Sequence, residues 1–314
     1  MPRRRFAATS KMKTRRKLVV TGAKGFVAGS VLAQAGEEWE VHAFSRGESP
    51  VGVESLRWHA CDSAAPDELA RVFREVRPDA VIHTAALADI DYCQANLAAA
   101  RAVNVELTRA LAELCREGGC KLVFCSTDTI FDGEHAPYRE ESQPGPVNSY
   151  AETKVEAEQI VSGLGSQANI ARLSLVMGLP VLGAGNSFLP RLLAALKEGR
   201  TVAVPAHEVR TPVDVLTAGK ALLELAAGDH HGIIHLAGHD RVNRLELSQR
   251  IAGRFGFPKD LVVAQPATTT PGRAPRPRDV SLDNARACAT LKTPMRTLDE
   301  GLSQILQTAA ARQK

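Results

Sequence analysis

Tyr150 and Lys154 stand four positions apart in the stretch Ser149-Tyr150-Ala151-Glu152-Thr153-Lys154. On a helix, positions i and i+4 share a face, so one phenol and one ammonium can serve a single site. An adjacent ammonium stabilises phenolate and draws a tyrosine pKa down. A phenol so tuned can give a proton to a carbonyl oxygen or take one back. Ser149 with Glu152 three residues on reads as a capping box, which predicts where this helix begins. Two more hydroxyls occur in Ser126-Thr127-Asp128, just after the apolar run at 121–125. They either face the same crevice as the phenol or belong to a turn rich in capping residues. Each pattern alone also suits an ordinary helix face or turn, so the surrounding elements decide.

Residues 17–21 are a short apolar run of the kind that forms a buried parallel strand. Gly22-Ala23-Lys24-Gly25-Phe26-Val27-Ala28-Gly29 follows, and then helical sequence to Ala35. A glycine turn between strand and helix lets backbone N–H groups approach a pyrophosphate at the helix's positive end. A second strand at 40–44 is followed by Ser45-Arg46, where an acidic residue would bind the ribose 2′-OH of NAD. An arginine there suits a 2′-phosphate with its planar fork, and Lys24 points the same way. NADP is therefore favoured over NAD; otherwise Arg46 is a solvated loop charge. A third strand at 53–60 ends in Cys61-Asp62-Ser63, where Asp62 either bonds the adenine edge or caps a helix over 67–76 that starts near Pro66.

The fourth strand, 80–86, ends in His83-Thr84-Ala85-Ala86, small residues that allow a flat ligand close to the backbone. His83 is either structural or turned to that ligand. A long helix over 97–118 carries Asn104 amid apolar positions, either bonding water or backbone near the site or exposed. The fifth strand is 121–125, residues 131–148 read as a loop, the Tyr150 helix runs to Ser162, and a sixth strand spans 170–177. This alternation predicts an α/β fold, a Rossmann-type doubly wound parallel sheet over 17–178. Beyond it the rhythm loosens. Helices are expected at 188–198, from 211–214 to 227, at 244–255 and at 297–309, with strands at 201–204 and 232–237. Residues 179–314 thus read as a smaller substrate lobe with some elements returning to the sheet. Arg210, Arg273 and Arg276 are candidates for an anionic substrate group, because guanidinium forks match phosphate; the alternative is surface charge.

Composition excludes several classes. The 314 residues are 44% hydrophobic and 24% charged, ordinary for a globular chain. Residues 1–17 hold eight Lys/Arg and no acid, leaving 31 basic against 35 acidic residues elsewhere. The body is mildly acidic, so no nucleic-acid role is expected, and residues 1–16 read as a disordered basic tail. No apolar run reaches the ~18 residues of a membrane helix. The six cysteines make no CxxC pair, so no metal site is expected; reduced thiols and a cytoplasmic location are.

With these pieces placed, the chain resembles the extended short-chain dehydrogenase/reductase superfamily over residues 17–306. The resemblance rests on Gly22-x-x-Gly25, His83-Thr84-Ala85-Ala86, Ser126-Thr127-Asp128 and Tyr150-x-x-x-Lys154, in family order and spacing. Within it, the segment from Cys125 to Gly133 and the stretch from Arg276 to Asn284 are similar to the dTDP-4-dehydrorhamnose reductases. Thr129 and Leu175 stand where those enzymes usually have tyrosine and tryptophan, and Ala28 where a third glycine is usual. The resemblance implies Thr127, Tyr150 and Lys154 as catalytic residues. It implies Gly22, Lys24, Gly25, Phe26, Val27, Ser45, Arg46, Asp62, Ser63, His83, Thr84, Ala85 and Ala86, with Tyr150 and Lys154, around NADP. The implied reaction is hydride transfer from NADPH to a ketone of a nucleotide-linked deoxy sugar, in a chain that can form a homodimer. Two relatives of this scaffold offer alternatives: a sugar-nucleotide epimerase, and a non-catalytic subunit like the regulatory subunit of methionine adenosyltransferase.

Overall fold

The structure is a computed structural model that describes residues 15–49, 56–61, 66–182, 187–265 and 273–312. Asp62, Ser63 and the first part of the expected third strand lie outside the described residues. In chain order the first half comprises β1 (Arg16–Thr21), α1 (Phe26–Gln34), β2 (Trp39–Ser45), β3 (Arg57–Ala60), α2 (Pro66–Val76), β4 (Ala80–His83), α3 (Ile90–Ala95), α4 (Leu97–Arg101), α5 (Leu107–Gly118), β5 (Lys121–Thr127), α6 (Ser149–Ser162) and β6 (Ala168–Leu173). The second half comprises β7 (Val176–Met177), α7 (Phe188–Lys197), β8 (Val202–Val204), β9 (Val209–Arg210), β10 (Val213–Asp214), α8 (Val215–Ala227), β11 (Gly232–Leu236), β12 (Val242–Asn243), α9 (Arg244–Arg254), β13 (Val262–Ala264), α10 (Ala285–Thr290) and α11 (Leu298–Arg312).

Seven strands make one parallel sheet in the order β11-β6-β5-β4-β1-β2-β3. Its strands are buried because side chains alternate between two covered faces. Leu18 and Val20 of β1 join Val31 of α1 and Leu222 of α8 on one side. Val19, between them, joins Phe73 of α2, Leu111 of α5 and Val161 of α6 on the other. A separate core of Leu189, Leu193, Leu247, Ile251 and Leu302 holds the second-half lobe. The order reverses between β1 and β4, which opens a crevice at their carboxyl ends.

Several expected boundaries move, each for a physical reason. β4 stops at His83, and Thr84 leaves the sheet with its hydroxyl bonded to Thr21 O at 2.7 Å. The expected helix over 97–118 is interrupted by a π turn, Ala102–Glu106, and a short helix, α3, precedes it. The sixth strand breaks after Leu173, because β7 pairs with β10 and not with the sheet. Helix α6 is capped by Asn148, not Ser149: the Asn148 side chain accepts from the Ala151 N–H at 2.9 Å, while the Ser149 N–H donates to Gln94 Oε1 at 3.1 Å. Asparagine is as strong a cap as serine, and Gln94 takes the donor that a box would have needed.

A strap over 278–283 stitches the two halves. It forms bridges at Tyr138–Leu282 and Val209–Asp279. The strap also crowds Gly133, where a Cβ would stand 2.6 Å from Arg278 N. The Tyr138 hydroxyl accepts N–H bonds from Gly133, Glu134 and His135 and donates to Asp132, so the Phe131-Asp132-Gly133 motif builds a turn and not a ligand contact.

Under helix α6 lies a buried ion pair. Arg172 on β6 donates to Glu158 at 2.8 and 3.1 Å and to Glu140 O at 3.2 Å, with side chains 2% and 7% exposed for Arg172 and Glu158. Removing one partner of such a pair leaves a buried charge uncompensated. Arg172→Leu is expected to cost about 3–5 kcal/mol in urea unfolding; a loss below about 1 kcal/mol would show that the pair does not anchor this helix.

Candidate active site

The crevice between β1 and β4 is a cleft of about 570 Å³. Gly22, Lys24, Gly25, Ser45, Arg46, Thr84, Ala85 and Ala86 line it, as the sequence predicts. Gly22 has φ +66°, and a Cβ there would stand 2.8 Å from the Cα and N of Ala85. Only glycine lets the β1 turn and the β4 end approach this closely. Helix α1 starts at this turn with no capping side chain and no acid in its first turn. Its first N–H groups are therefore left for an anion. Phe26 and Val27 offer only those amides, because their side chains turn inward against Val215 and against the sheet's core.

At the far corner Trp58 Nε1 donates to Gly47 O at 2.9 Å. Lys24 Nζ lies 5.8 Å from the Trp58 ring centre, so the Lys24 ammonium and the Ser45–Arg46 turn share one corner of the cleft.

His83 does not line the cleft. It is 1% exposed beneath the cleft floor, bonded to Thr21 Oγ1 at 2.7 Å and Thr108 Oγ1 at 3.1 Å. Burial pushes its pKa down to about 3, with the Lys154 charge adding to the effect, so it is a neutral pin between β1 and α5. Other walls come from residues the sequence reading did not name, among them Leu87, Tyr92, Ala102 and Val103. The π turn sets this wall. Inside it, buried Asn104 accepts from Leu87 N at 2.8 Å and donates to Leu87 O at 3.0 Å and Thr153 Oγ1 at 3.0 Å. One amide thus fastens the β4 exit to the helix that carries Tyr150.

Thr127 ends β5, and Tyr150 and Lys154 lie on the facing side of α6, both buried. Lys154 Nζ donates to Cys125 O at 2.7 Å and sits 3.9 Å above the Phe124 ring. Burial draws its pKa down to about 8. The Tyr150 phenol is 8% exposed, and burial raises its pKa well above the ordinary value. The main opposing influence is a hydrogen bond with Thr127. The lowering expected from Lys154 is not what governs the free chain, because desolvation outweighs it and the ammonium is turned to Cys125 O. Tyr150 is a neutral phenol, the form a proton donor must have.

The three arginines proposed for an anion each hold a partner. Arg210 is buried 3.8 Å from Asp128 Oδ2 and donates to Val209 O at 2.7 Å. Arg273 donates to Glu208 Oε1 at 2.9 Å. Arg276 grips both oxygens of Asp91, at 2.9 and 2.8 Å, fixing the segment before the strap against α3. Arg244 does differently. It opens on a second cavity, about 610 Å³, with Phe188, Arg191, Arg200 and Ser248. Its guanidinium stacks 4.6 Å over the Phe188 ring. No carboxylate among the described residues lies within ion-pair distance, and the neighbouring Ser248 hydroxyl is buried without a partner. Burial lowers the Arg244 pKa, and the charges of Glu208 and Asp128 oppose that lowering. Sequence could not single out Arg244, because only the packing of α7 against α9 shows that it stacks on Phe188 with no carboxylate at ion-pair distance among the described residues.

A glycine cradle, an open helix end and a half-buried Thr127 beside buried Tyr150 and Lys154 at the carboxyl rim of a doubly wound sheet define an NAD(P)-dependent oxidoreductase of the extended short-chain dehydrogenase/reductase class. The chain belongs to the family described as RmlD substrate binding domain, which it matches over residues 16–311. The dTDP-4-dehydrorhamnose reductase of Mycobacterium tuberculosis is 30% identical over 302 residues, 94% of this chain and 93% of that protein. The methionine adenosyltransferase 2 subunit beta of Danio rerio is 26% identical, over 86% of this chain and 84% of that protein. A crystal structure of dTDP-4-dehydrorhamnose reductase from Bacillus anthracis, in complex with NADP, superposes with a TM-score of 0.83 at 23% identity, covering 94% of this chain and 99% of that one.

Asn104→Ala would strand the Leu87 N–H, a loss of about 1–3 kcal/mol for a buried unpaired group, while Leu87 O keeps the Cys93 thiol at 3.3 Å. Urea unfolding should show a loss in that range; an unchanged midpoint would mean that water replaces the amide and that Asn104 is not the fastener.

Proposed function

We propose that this chain reduces a keto group on a nucleotide-linked deoxy sugar with NADPH. The observation that carries the reading is a neutral Tyr150 beside Thr127, on the same helix as Lys154 and packed in the apolar cluster with Leu87, which lines the cleft. The residues present fit a dinucleotide: the Gly22 approach to Ala85 leaves no room for a side chain, the α1 end has free N–H groups, and Lys24 and Arg46 line the corner suited to a 2′-phosphate. The NADP held by the Bacillus anthracis structure supports the same choice.

The bound nicotinamide supplies the hydride. The rest is this chain's own work. Thr127 donates a hydrogen bond to the substrate carbonyl oxygen, and Tyr150 gives its proton to that oxygen as negative charge builds there. The Lys154 ammonium then lies near the resulting phenolate and offsets its charge. The second cavity accepts the nucleotide portion: Arg244 and Arg191 meet the diphosphate, and Phe188 offers an aromatic face. Arg210 supports from behind through Asp128, and Arg276 serves the fold.

Similarity to the methionine adenosyltransferase subunit favours a second reading, in which the same cleft stabilises a binding partner. Stoichiometric capture of a transferase subunit by a chain that turns over no keto sugar would decide for it. Retention of tightly held NAD that is returned unchanged would favour an epimerase.

Tyr150→Phe is expected to lower kcat about 10²–10⁴-fold while NADPH still binds, as read by quenching of its fluorescence. Wild-type turnover in that variant would remove the phenol from the reaction. Arg46→Ala should weaken NADPH about tenfold or more, the scale of a charged hydrogen bond, and leave NADH unchanged. Equal losses would count against the 2′-phosphate corner. Lys154 bears its charge below about pH 8 and loses it above, so kcat should fall as pH rises through that value; a flat profile to pH 10 would show that the ammonium is not needed.

A further inference from the structure

The turn after β5 places Thr129 on the hydroxyl of Thr127. Thr127 caps the short 3-10 turn Asp128–Ile130, so its Oγ1 accepts from the Thr129 N–H at 3.2 Å. The Thr129 hydroxyl lies 3.0 Å from the same oxygen. Ile130 and Phe131, both fully buried, hold the turn in place. Thr127 and Thr129 are each half-buried, while Ser126 and Asp128 on either side of Thr127 are buried.

A hydroxyl has one proton and two lone pairs. Besides Thr129 Oγ1 at 3.0 Å, the Thr127 proton has two acceptors in the free chain: the Tyr150 phenol oxygen, and Asp128 Oδ1 at 3.4 Å. Asp128 is otherwise engaged by Ser174 at 3.2 Å and Arg210 at 3.8 Å. Either hydroxyl can be the donor in that bond; Thr129 has no other protein partner among the described residues, and donating to Thr127 Oγ1 is the arrangement that leaves Thr127 free to donate elsewhere. With both lone pairs of Thr127 filled from Thr129, one by N–H and one by O–H, the Thr127 proton is left for the site.

We infer that Thr129 is a positioning residue for this reaction, whose hydroxyl fixes the direction in which Thr127 offers its single proton to the reacting oxygen. The inference rests on the reductase reading, since the reacting oxygen is the substrate's. Thr129 touches neither substrate nor cofactor in this role. It acts through Thr127, and the backbone of the turn supplies half of the constraint whatever side chain stands at 129.

The test pairs Thr129→Val, which keeps the shape and removes the hydroxyl, with Thr129→Ser, which keeps the hydroxyl. Two readouts are taken on the full chain: steady-state kinetics with NADPH and a nucleotide-linked keto sugar, and the ring-carbon NMR signal of tyrosine labelled at Cζ. The chain has three tyrosines, so Tyr92 and Tyr138 serve as internal references. Thr129→Val is expected to lower kcat about three- to tenfold, the scale of one neutral hydrogen bond, with KM unchanged. It should also shift the Tyr150 signal alone, and Thr129→Ser should restore both. An unmoved Tyr150 signal in Thr129→Val overturns the inference whatever the activity. So does a Thr129→Ser chain as slow as Thr129→Val. A shifted signal in a chain whose wild type reduces no keto sugar would sustain the coupling of Thr129 to Tyr150 and reject the reductase reading, which keeps the two failures apart.

Discussion

The site depends on burying an ammonium. Among the described residues no carboxylate lies within ion-pair distance of Lys154; its partners are one backbone carbonyl and one aromatic face. Such a charge is costly to keep out of water, and its lowered pKa expresses that cost. The cost is tolerated because strand β5 and helix α6 are each fixed independently: the strand by neighbours on both sides, the helix by Asn148 at its start and Glu158 one turn beyond Lys154. The result is a site that waits with a neutral phenol and a marginal cation, both suited to a reaction that moves negative charge onto a substrate oxygen.

Around that pair the polar groups are arranged so that few are left without work in the fold. His83 ties β1 to α5, Thr84 ties β4 to β1, and Asn104 ties the β4 exit to α6. Each fastener lies at or under the carboxyl rim, where the strands end and the ladder no longer holds the chain. The π turn is part of the same solution: it accommodates Asn104 within a helix whose other face must still cover the sheet. The rim stays narrow enough for a flat ligand because these bonds hold it shut from below.

The strap over 278–283 joins the halves, and Arg276 clasps α3 beside Tyr92, which forms part of the cleft wall. The second-half lobe carries the Arg244 cavity, walled by α7, β8 and α9. Charge sorting then follows a simple rule. Guanidiniums that meet a carboxylate stabilise the frame, whereas Arg244 stacks on Phe188 with no carboxylate at ion-pair distance among the described residues. Thr129 and Leu175 stand where the resemblance to rhamnose reductases leads one to expect tyrosine and tryptophan.

The sequence by itself determined the sheet and singled out the Thr127, Tyr150 and Lys154 candidates. Apolar runs of strand length, the glycine turn at Gly22 and the i, i+4 pairing of Tyr150 and Lys154 are local patterns, and local patterns report period, turn geometry and shared faces directly. What stayed hidden depends on partners far away in the chain. The capping box at Ser149 failed because Gln94, 55 positions upstream, takes its N–H. His83 looked like a cleft residue until Thr21 and Thr108 closed over it, and Arg276 looked like a phosphate ligand until Asp91 met it. A charged side chain's role is set by what stands opposite, and only the tertiary structure decides that, because burial and pairing are properties of the packed chain and leave no trace in spacing.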